Sequence, residues 1–257
     1  MKKQIVVLGA GVSGIGAAVL AKKKGFNVFV SDNGSITDKN KAVLLNNEID
    51  WEEGSHTLDL ILNADEVIKS PGIPDGIELI QQINKKGISI VSEVEFAVRY
   101  TNAKIAAITG SNGKTTTTLL LGHTLKNAGY DVLVAGNVGV GFASSIAERD
   151  YDYIVLELSS FQLDGIKEFR SDIAILLNIT PDHLDRYDNK LEQYAGSKFR
   201  ITENQTEHDV LILNADDTIV NKISTKAKKL PISLVNKLNE GGHLNKNELI
   251  ININNKT

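Results

Sequence analysis

The sequence predicts an α/β protein made of two successive parallel-sheet domains. Three observations predict it. A short apolar run, a glycine-containing turn and a helix-periodic stretch follow one another at 4–24 and again at 104–129. Further short apolar runs alternate with helical periods along the chain, the pattern of βαβ units. Polar residues collect just after the apolar runs, where the carboxyl ends of parallel strands place ligand sites.

The first domain opens with a strand predicted at Gln4 to Leu8, the turn Gly9-Ala10-Gly11-Val12-Ser13-Gly14 and a helix at Ile15 to Lys24 closed by Gly25. A second strand, Val28 to Val30, ends at Ser31-Asp32. Gly-x-Gly-x-x-Gly in the turn and an acid about 20 residues on form the Rossmann-like arrangement. It lets a phosphate rest on the helix start and lets Asp32 accept hydrogen bonds from a ribose or polar ring; a tight turn with a solvated Asp32 is the competing reading. A strand at Asp65 to Lys69 runs into Ser70-Pro71-Gly72, a helix with apolar Ile77, Ile80 and Ile83 spans Ile77 to Lys85, and Ile88 to Val91 is a strand. Glu93 to Tyr100 reads as a connecting helix, and the boundary is placed at 92, giving domains 1–92 and 93–257.

The second domain restarts with the strand Ile105 to Ile108, the turn Thr109-Gly110-Ser111-Asn112-Gly113, and a helix that begins at Lys114 and stops before Gly129, with Leu119, Leu120, Leu121 and Leu125 as its apolar positions. Strand, glycine turn and helix is the phosphate-binding layout, with Lys114 as a mobile cation and the Thr115 hydroxyl where a phosphate-bound Mg²⁺ would sit. The usual P-loop has a further glycine where this chain has Ile108, so an ordinary turn with a solvated lysine stays open on pattern alone. Strands follow at Val132 to Ala135, before Gly136-Asn137; at Tyr153 to Leu156, before Glu157-Leu158-Ser159-Ser160-Phe161-Gln162; and at Ile173 to Leu177, before Asn178 to Tyr187. A helix at Leu191 to Glu203 carries Lys198, and Val210 to Leu213 is a fifth strand. Glu157 at the end of a buried strand needs a partner or a metal, and beside Thr115 it suits Mg²⁺; Lys114 or backbone donors could satisfy it instead. His183 stands in a polar run with Asn178, Asp182 and Asp185, where a loop histidine and a ligand are equally open. On spacing alone Lys198 is one of 28 basic residues on a solvated helix face, and Phe161 and Leu163 are core. The tail from Asn236 is rich in asparagine, with a strand expected at Leu249 to Ile253, and the chain reads as cut within a domain.

Composition narrows the function classes. At 257 residues the chain suffices for two domains, and 42% hydrophobic with 23% charged residues allows a real core. A net charge of −4 without a basic block argues against nucleic acid as a partner. The absence of cysteine excludes disulfides and thiolate metal sites and fits a cytoplasmic protein. The basic N-terminus leads into a run that breaks at Gly9, which reads as a strand and not an export signal. No apolar stretch is long enough to span a bilayer, so no membrane partner is expected.

Taken together, Gly9 to Gly14, Ser70-Pro71-Gly72, the loop Thr109 to Thr116, Gly136-Asn137, ELSSFQL at Glu157 to Leu163, NITPDHLDRY at Asn178 to Tyr187, and Tyr194 to Ile201 resemble the Mur ligases, ATP-dependent amide-forming enzymes of peptidoglycan precursor synthesis. The resemblance runs to about Asp217 and is strongest to the branch that adds D-glutamate to UDP-N-acetylmuramoyl-L-alanine. It implies that Val12, Ser13, Asp32, Ser70, Pro71 and Gly72 hold the UDP part of that substrate, and that Asn137, Ser159, Ser160 and Gln162 line the muramoyl-alanine path. It implies a central ATPase domain that binds ATP through Gly110, Ser111, Asn112, Gly113, Lys114, Thr115 and Thr116. Two Mg²⁺ sites are implied, one at Thr115 and Glu157 and one at His183, supported by Lys198 if it is carbamylated by CO₂; Lys114, His183 and Lys198 would be catalytic. A monomer is expected. The family's C-terminal amino-acid-binding domain and the end of its central domain have no counterpart here, so this polypeptide is expected to bind the UDP substrate without completing ligation. An NAD-dependent oxidoreductase is the alternative suggested by Gly9 to Gly14 and Asp32; it leaves Lys114, Glu157 and His183 without a task.

Overall fold

The apolar run Ile5 to Leu8 is buried along its whole length, so β1 (Gln4–Leu8) becomes the middle strand of a sheet covered on both faces. Around it the computed structural model, which describes residues 2–253, builds α1 (Val12–Lys23), β2 (Asn27–Asp32), α2 (Asp38–Asn46), β3 (Asp50–Glu53), α3 (Leu58–Ile61), β4 (Glu66–Lys69), α4 (Glu78–Lys85), β5 (Ser89–Val91) and α5 (Glu93–Val98). The strands are parallel in the order β3-β2-β1-β4-β5. The order reverses between β1 and β4, which makes the carboxyl ends of those two strands the switch point where an open sheet offers a crevice. Leu8 pairs with Ser31 on one side and Lys69 on the other, so Asp32 and Ser70 lie beside the glycine turn. Val6, Leu8, Ile61, Ala64, Val67, Leu79, Ile80 and Ile83 form a core on one face. Ile77, expected in the apolar stripe of α4, precedes the helix as its cap, and Leu79 takes the inward place.

The second sheet contains β6 (Lys104–Thr109), β7 (Val132–Gly136), β8 (Tyr153–Glu157), β9 (Ile173–Leu176), β10 (Val210–Asn214), β11 (Lys228–Ser233), β12 (Gly241–Asn245) and β13 (Glu248–Asn252), in the order β13-β12-β11-β10-β9-β6-β8-β7. All pairs are parallel except β12 with β13, a hairpin. Its helices are α6 (Lys114–Asn127), α8 (Ser160–Asp164) and α9 (Leu191–Phe199), while α7 (Phe142–Glu148) belongs elsewhere. Of the four leucines expected to bury α6, Leu121 and Leu125 pack on the core of Ile108, Val132 and Val155, but Leu119 and Leu120 are exposed. The helix approaches the sheet through Thr118 and Gly122 instead, and a Cβ on Gly122 would lie 2.3 Å from Val134. The helix expected to run to Glu203 ends at Phe199 and tightens into a 3₁₀ turn at Arg200–Thr202. Asn254 to Thr257 of the asparagine-rich tail lie outside the described residues.

Contacts divide the chain into one unit of Met1–Asn102, Gly139–Asp150 and Gly165–Phe169, and another of Ala103–Val138, Tyr151–Asp164 and Arg170–Thr257. This differs from a single cut at 92, and α5 supplies the reason. Ser92 caps α5 by accepting from Glu95 N at 3.1 Å, as a helix start in the sequence suggests. The two glutamates that follow are buried and reach across the chain. Glu93 accepts from Ala143 N at the start of α7 at 2.7 Å. Glu95 accepts from the N–H groups of Lys167, Glu168 and Phe169 at 2.8, 3.1 and 2.9 Å. Two distant segments are thereby held in the first unit, and burial pushes the Glu93 carboxyl up to about 7. Among the described residues no helix is long and apolar enough to cross a membrane.

Candidate functional site

In the first unit the turn after β1 is drawn tight against the start of α1. A Cβ on Gly14 would stand 1.9 Å from Gly9 O, so only glycine permits this approach. The first helical N–H groups, those of Val12, Ser13 and Gly14, have no carbonyl within the helix to bond, and the side chain of Val12 is exposed. Asp32 is not free at the end of β2. Its Oδ2 accepts from Ala10 N at 2.6 Å and its Oδ1 from Gly34 N at 2.7 Å. A carboxylate has about four acceptor positions, so Asp32 keeps capacity for a ligand while it braces the turn. Across the switch point Ser70 N donates to Leu8 O at 3.0 Å and its hydroxyl faces Gly9 O at 3.4 Å. The turn Ser70-Pro71-Gly72-Ile73 closes by Ile73 N to Ser70 O at 3.1 Å, and Lys69 Nζ secures it on Ile73 O at 2.6 Å and Asp75 at 3.0 Å. The structure thus brings Val12, Ser13, Asp32, Ser70, Pro71 and Gly72 to one edge of the first sheet.

In the second unit the turn after β6 carries Gly110, Ser111, Asn112 and Gly113 into α6, with Thr115 and Thr116 in the first helical turn. Side chains from the β9 loop brace it: Asn178 Oδ1 accepts from Asn112 N at 2.8 Å, and Ser111 Oγ donates to Thr180 O at 2.9 Å. Lys114 Nζ lies back over the loop on Gly110 O at 3.0 Å and Ser111 O at 2.9 Å. Glu157, 1% exposed, accepts from Thr115 Oγ1 at 2.8 Å and Asn137 Nδ2 at 3.0 Å. Lys114 is therefore not its partner, and no cationic side chain among the described residues pairs with it. Gly136 sets this up: a Cβ there would lie 2.2 Å from Glu157 O, so glycine lets β7 end against β8 and deliver Asn137 to the carboxylate.

Lys198 overturns the expectation of a solvated helix face. It is 1% exposed, its Nζ donates to Gly110 O at 2.9 Å and stands 4.6 Å from the centre of the Tyr194 ring. Burial, then the nearby Lys114, push its pKa down to about 7, against the pull of Asp182 and Asp164. Sequence spacing missed this because a helix pattern does not tell which polar residue faces inward. Phe161 is likewise not core. It is half-buried, its ring parallel to Tyr187 at 6.1 Å, with His183 at 5.5 Å and the Arg186 guanidinium at 4.7 Å, whereas Leu163 is fully buried. His183 has a left-handed backbone with φ 47°, an exposed ring, and Asp182 at 3.6 Å. Among the described residues no three histidine or acidic side chains gather as a ready-made metal cage. Ser159 caps α8, holding Gln162 Oε1 at 3.0 Å, and Ser160 O accepts from Ser197 Oγ at 2.9 Å, so Ser160 and Gln162 are buried and shape the loop. A cavity of about 520 Å³ opens beside Gly113 and Thr117, lined by Ile175, Leu177, Ile212 and Leu234 together with Asn178 and Asn214.

The chain matches the family description "Mur ligase middle domain" over residues 108–255 and "MurD N-terminal domain" over residues 4–78. It is 52% identical over 259 residues to a UDP-N-acetylmuramoylalanine--D-glutamate ligase of Christiangramia forsetii, covering 99% of this chain and 58% of that protein. It is 53% identical over 253 residues to the ligase of the same name from Bacteroides fragilis, covering 97% of this chain and 57% of that protein. The chain therefore spans a little over half the length of these relatives. Among solved structures it resembles a UDP-N-acetylmuramate:L-alanyl-gamma-D-glutamyl-meso-diaminopimelate ligase from Neisseria meningitides, with a TM-score of 0.67 at 18% identity over 98% of this chain and 85% of that one. It also resembles the UDP-N-acetylmuramate-alanine ligase MurC of Thermotoga maritima, with a TM-score of 0.57 at 22% identity over 92% of this chain and 53% of that one. At these identities the likeness speaks for the fold, two α/β units of Rossmann-like and P-loop-like layout, while the match over residues 108–255 embraces the braced loop, Glu157, His183 and Lys198. On these matches the chain belongs to the Mur ligase family.

Proposed function

We propose that the full-length protein joins D-glutamate to UDP-N-acetylmuramoyl-L-alanine at the expense of ATP. The observation that carries the reading is the buried Glu157 carboxylate, held by two neutral donors and by no cation among the described residues, at the foot of a glycine loop bearing Lys114. A carboxylate in such a place is costly without a counter-charge. Hard oxygen donors from a hydroxyl and a carboxylate suit Mg²⁺, which takes one or two protein oxygens and completes its shell with phosphate and water. Thr115 and Glu157 fit that ion. It supplies neutralisation of phosphate charge.

The chain's own residues then have definable tasks. The loop Gly110 to Thr116 offers N–H groups to the phosphates of ATP, and the cavity beside Gly113 gives a nucleoside an apolar wall. Lys114 leaves its carbonyl partners for the terminal phosphate. The muramoyl-alanine carboxylate attacks that phosphorus, forming a C–O–P bond as ADP departs. The D-glutamate amine attacks the resulting acyl carbon, loses a proton, and inorganic phosphate leaves as the amide forms. Lys114 stabilises the charge that develops on the transferred group.

His183 and Lys198 are proposed to serve a second Mg²⁺. As an ammonium Lys198 cannot ligate a cation, but burial brings its pKa down to about 7 and leaves much of it as the free amine near neutrality. The free amine adds to CO₂, forming an N–C bond and releasing a proton, and the carbamate so produced is an anionic oxygen donor. The UDP part rests on Val12, Ser13, Asp32 and Ser70 to Gly72 of the first unit; Asn137, Ser159, Ser160 and Gln162 serve the muramoyl-L-alanine part. The reaction is placed in the cytoplasm, with a monomer as the working form. The test is an assay of the full-length protein with radiolabelled D-glutamate. Incorporation is expected to require MgATP and UDP-N-acetylmuramoyl-L-alanine and to release one phosphate for each amide. Preference for another amino acid, or amide formation without phosphate release, would overturn the reading.

A further inference from the structure

We infer that Asn40 is a positioning residue of the UDP site proposed above, on which this inference rests. Both backbone polar groups of Ala10, inside the glycine turn, are held by side chains from other elements. Asp32 takes its N–H at 2.6 Å, and Asn40 Nδ2 donates to its carbonyl at 2.7 Å. The assignment of the Asn40 amide follows from chemistry, since a carbonyl only accepts. Asn40 is fixed in turn by the start of α2, where Thr37 Oγ1 accepts from its N–H at 3.3 Å. Without Asn40 the Ala10 carbonyl has no partner among the described residues, because the first bond of α1 runs from Ile15 N to Gly11 O.

The consequence follows from peptide geometry. A peptide unit is planar and trans, so anchoring Ala10 O also aims the Gly11 N–H in the opposite direction. Nothing lies within 4 Å of a Cβ built on Gly11, and glycine tolerates a wide range of φ and ψ. The 10–11 peptide is therefore free to rotate once the Asn40 bond is gone. Rotation would withdraw a donor from the turn and swing a carbonyl oxygen, with its partial negative charge, toward the place where a diphosphate rests. Asn40 thus keeps the turn in its anion-accepting form without touching the ligand. Asn40→Asp goes further, since an ionised carboxylate opposite Ala10 O would repel the carbonyl it now holds.

The test is calorimetric titration of UDP-N-acetylmuramoyl-L-alanine into the full-length protein and its Asn40→Ala and Asn40→Asp variants, with steady-state kinetics in parallel. Asn40→Ala is expected to weaken binding about tenfold, the loss of one oriented hydrogen bond, and Asn40→Asp more. In kinetics the change should appear in KM for the UDP substrate and not in KM for ATP, a split that general unfolding would not give. If the unaltered protein binds and both variants bind equally well, Asn40 does not position the site and the substrate reading stands. If the unaltered protein gives no heat, that reading falls and the inference with it.

Discussion

Replacing Glu157 by glutamine in the full-length protein lowers D-glutamate incorporation by about 10²–10³-fold, the scale expected when a charge-stabilising group at a reacting centre is removed. The fold is expected to survive. Glutamine fills the same volume, its Oε1 can accept from Asn137 Nδ2, and its Nε2 can donate to Thr115 Oγ1, so both present bonds have replacements. A buried, cation-free carboxylate also disfavours the folded state, so neutralising it should hold or raise the melting temperature. The diagnostic readout is the pair of melting curves with and without Mg²⁺ and ADP. The unaltered protein should melt higher with them, as expected for a ligand that binds only the native state. Glu157→Gln should show little of that gain. A variant that loses activity but keeps the full Mg²⁺-dependent shift would remove Glu157 from the metal site.

Lys114→Met is expected to lower turnover by a similar ~10²–10³-fold, because the developing charge on the transferred phosphoryl group loses its cation. Among the described residues Lys114 is held only by Gly110 O and Ser111 O, two carbonyls of the loop, and not by a carboxylate. Its release toward a phosphate therefore breaks no ion pair, and methionine preserves the packing of the stem. Melting temperature should change little, while kcat falls far more than KM for ATP rises. Activity retained within about a factor of three, well under the 10²-fold scale of such a loss, would show that the ammonium does not act on the transferred group.

Much of this site was legible in the chain because its parts are local. Gly9 to Gly14 and Gly110 to Thr116 are contiguous strand–turn–helix segments, and residues that end neighbouring strands reach one edge of their own sheet by register alone: Asp32 and Ser70 in the first sheet, Gly136 and Glu157 in the second. What escaped was non-local or weakly patterned. The helix α2 buries only Leu44, and β3 is a charged edge strand, so neither leaves an apolar period to read. Pro231 in β11 and two glycines in β12 are poor strand signals, tolerated near the far edge of the sheet. Glu93 and Glu95 look like ordinary acids at a helix start, yet their carboxylates are committed to backbone about 50 and 70 residues away along the chain. That is why one cut at 92 misplaces α5 and the segments it holds. The inward turn of Lys198 is of the same kind: its meaning lies in Gly110 and Tyr194, which no helical period reveals.

The proposed seat of the uridine nucleotide in the first unit is the braced turn after β1 together with the Ser70 loop. It is tested most directly by titrating UDP-N-acetylmuramoyl-L-alanine into the purified protein in a calorimeter, with NADH as the parallel titrant. Saturable heat with one site per chain is expected for the UDP compound and none for NADH. A flat titration with the UDP compound, or saturable heat from NADH, would contradict it.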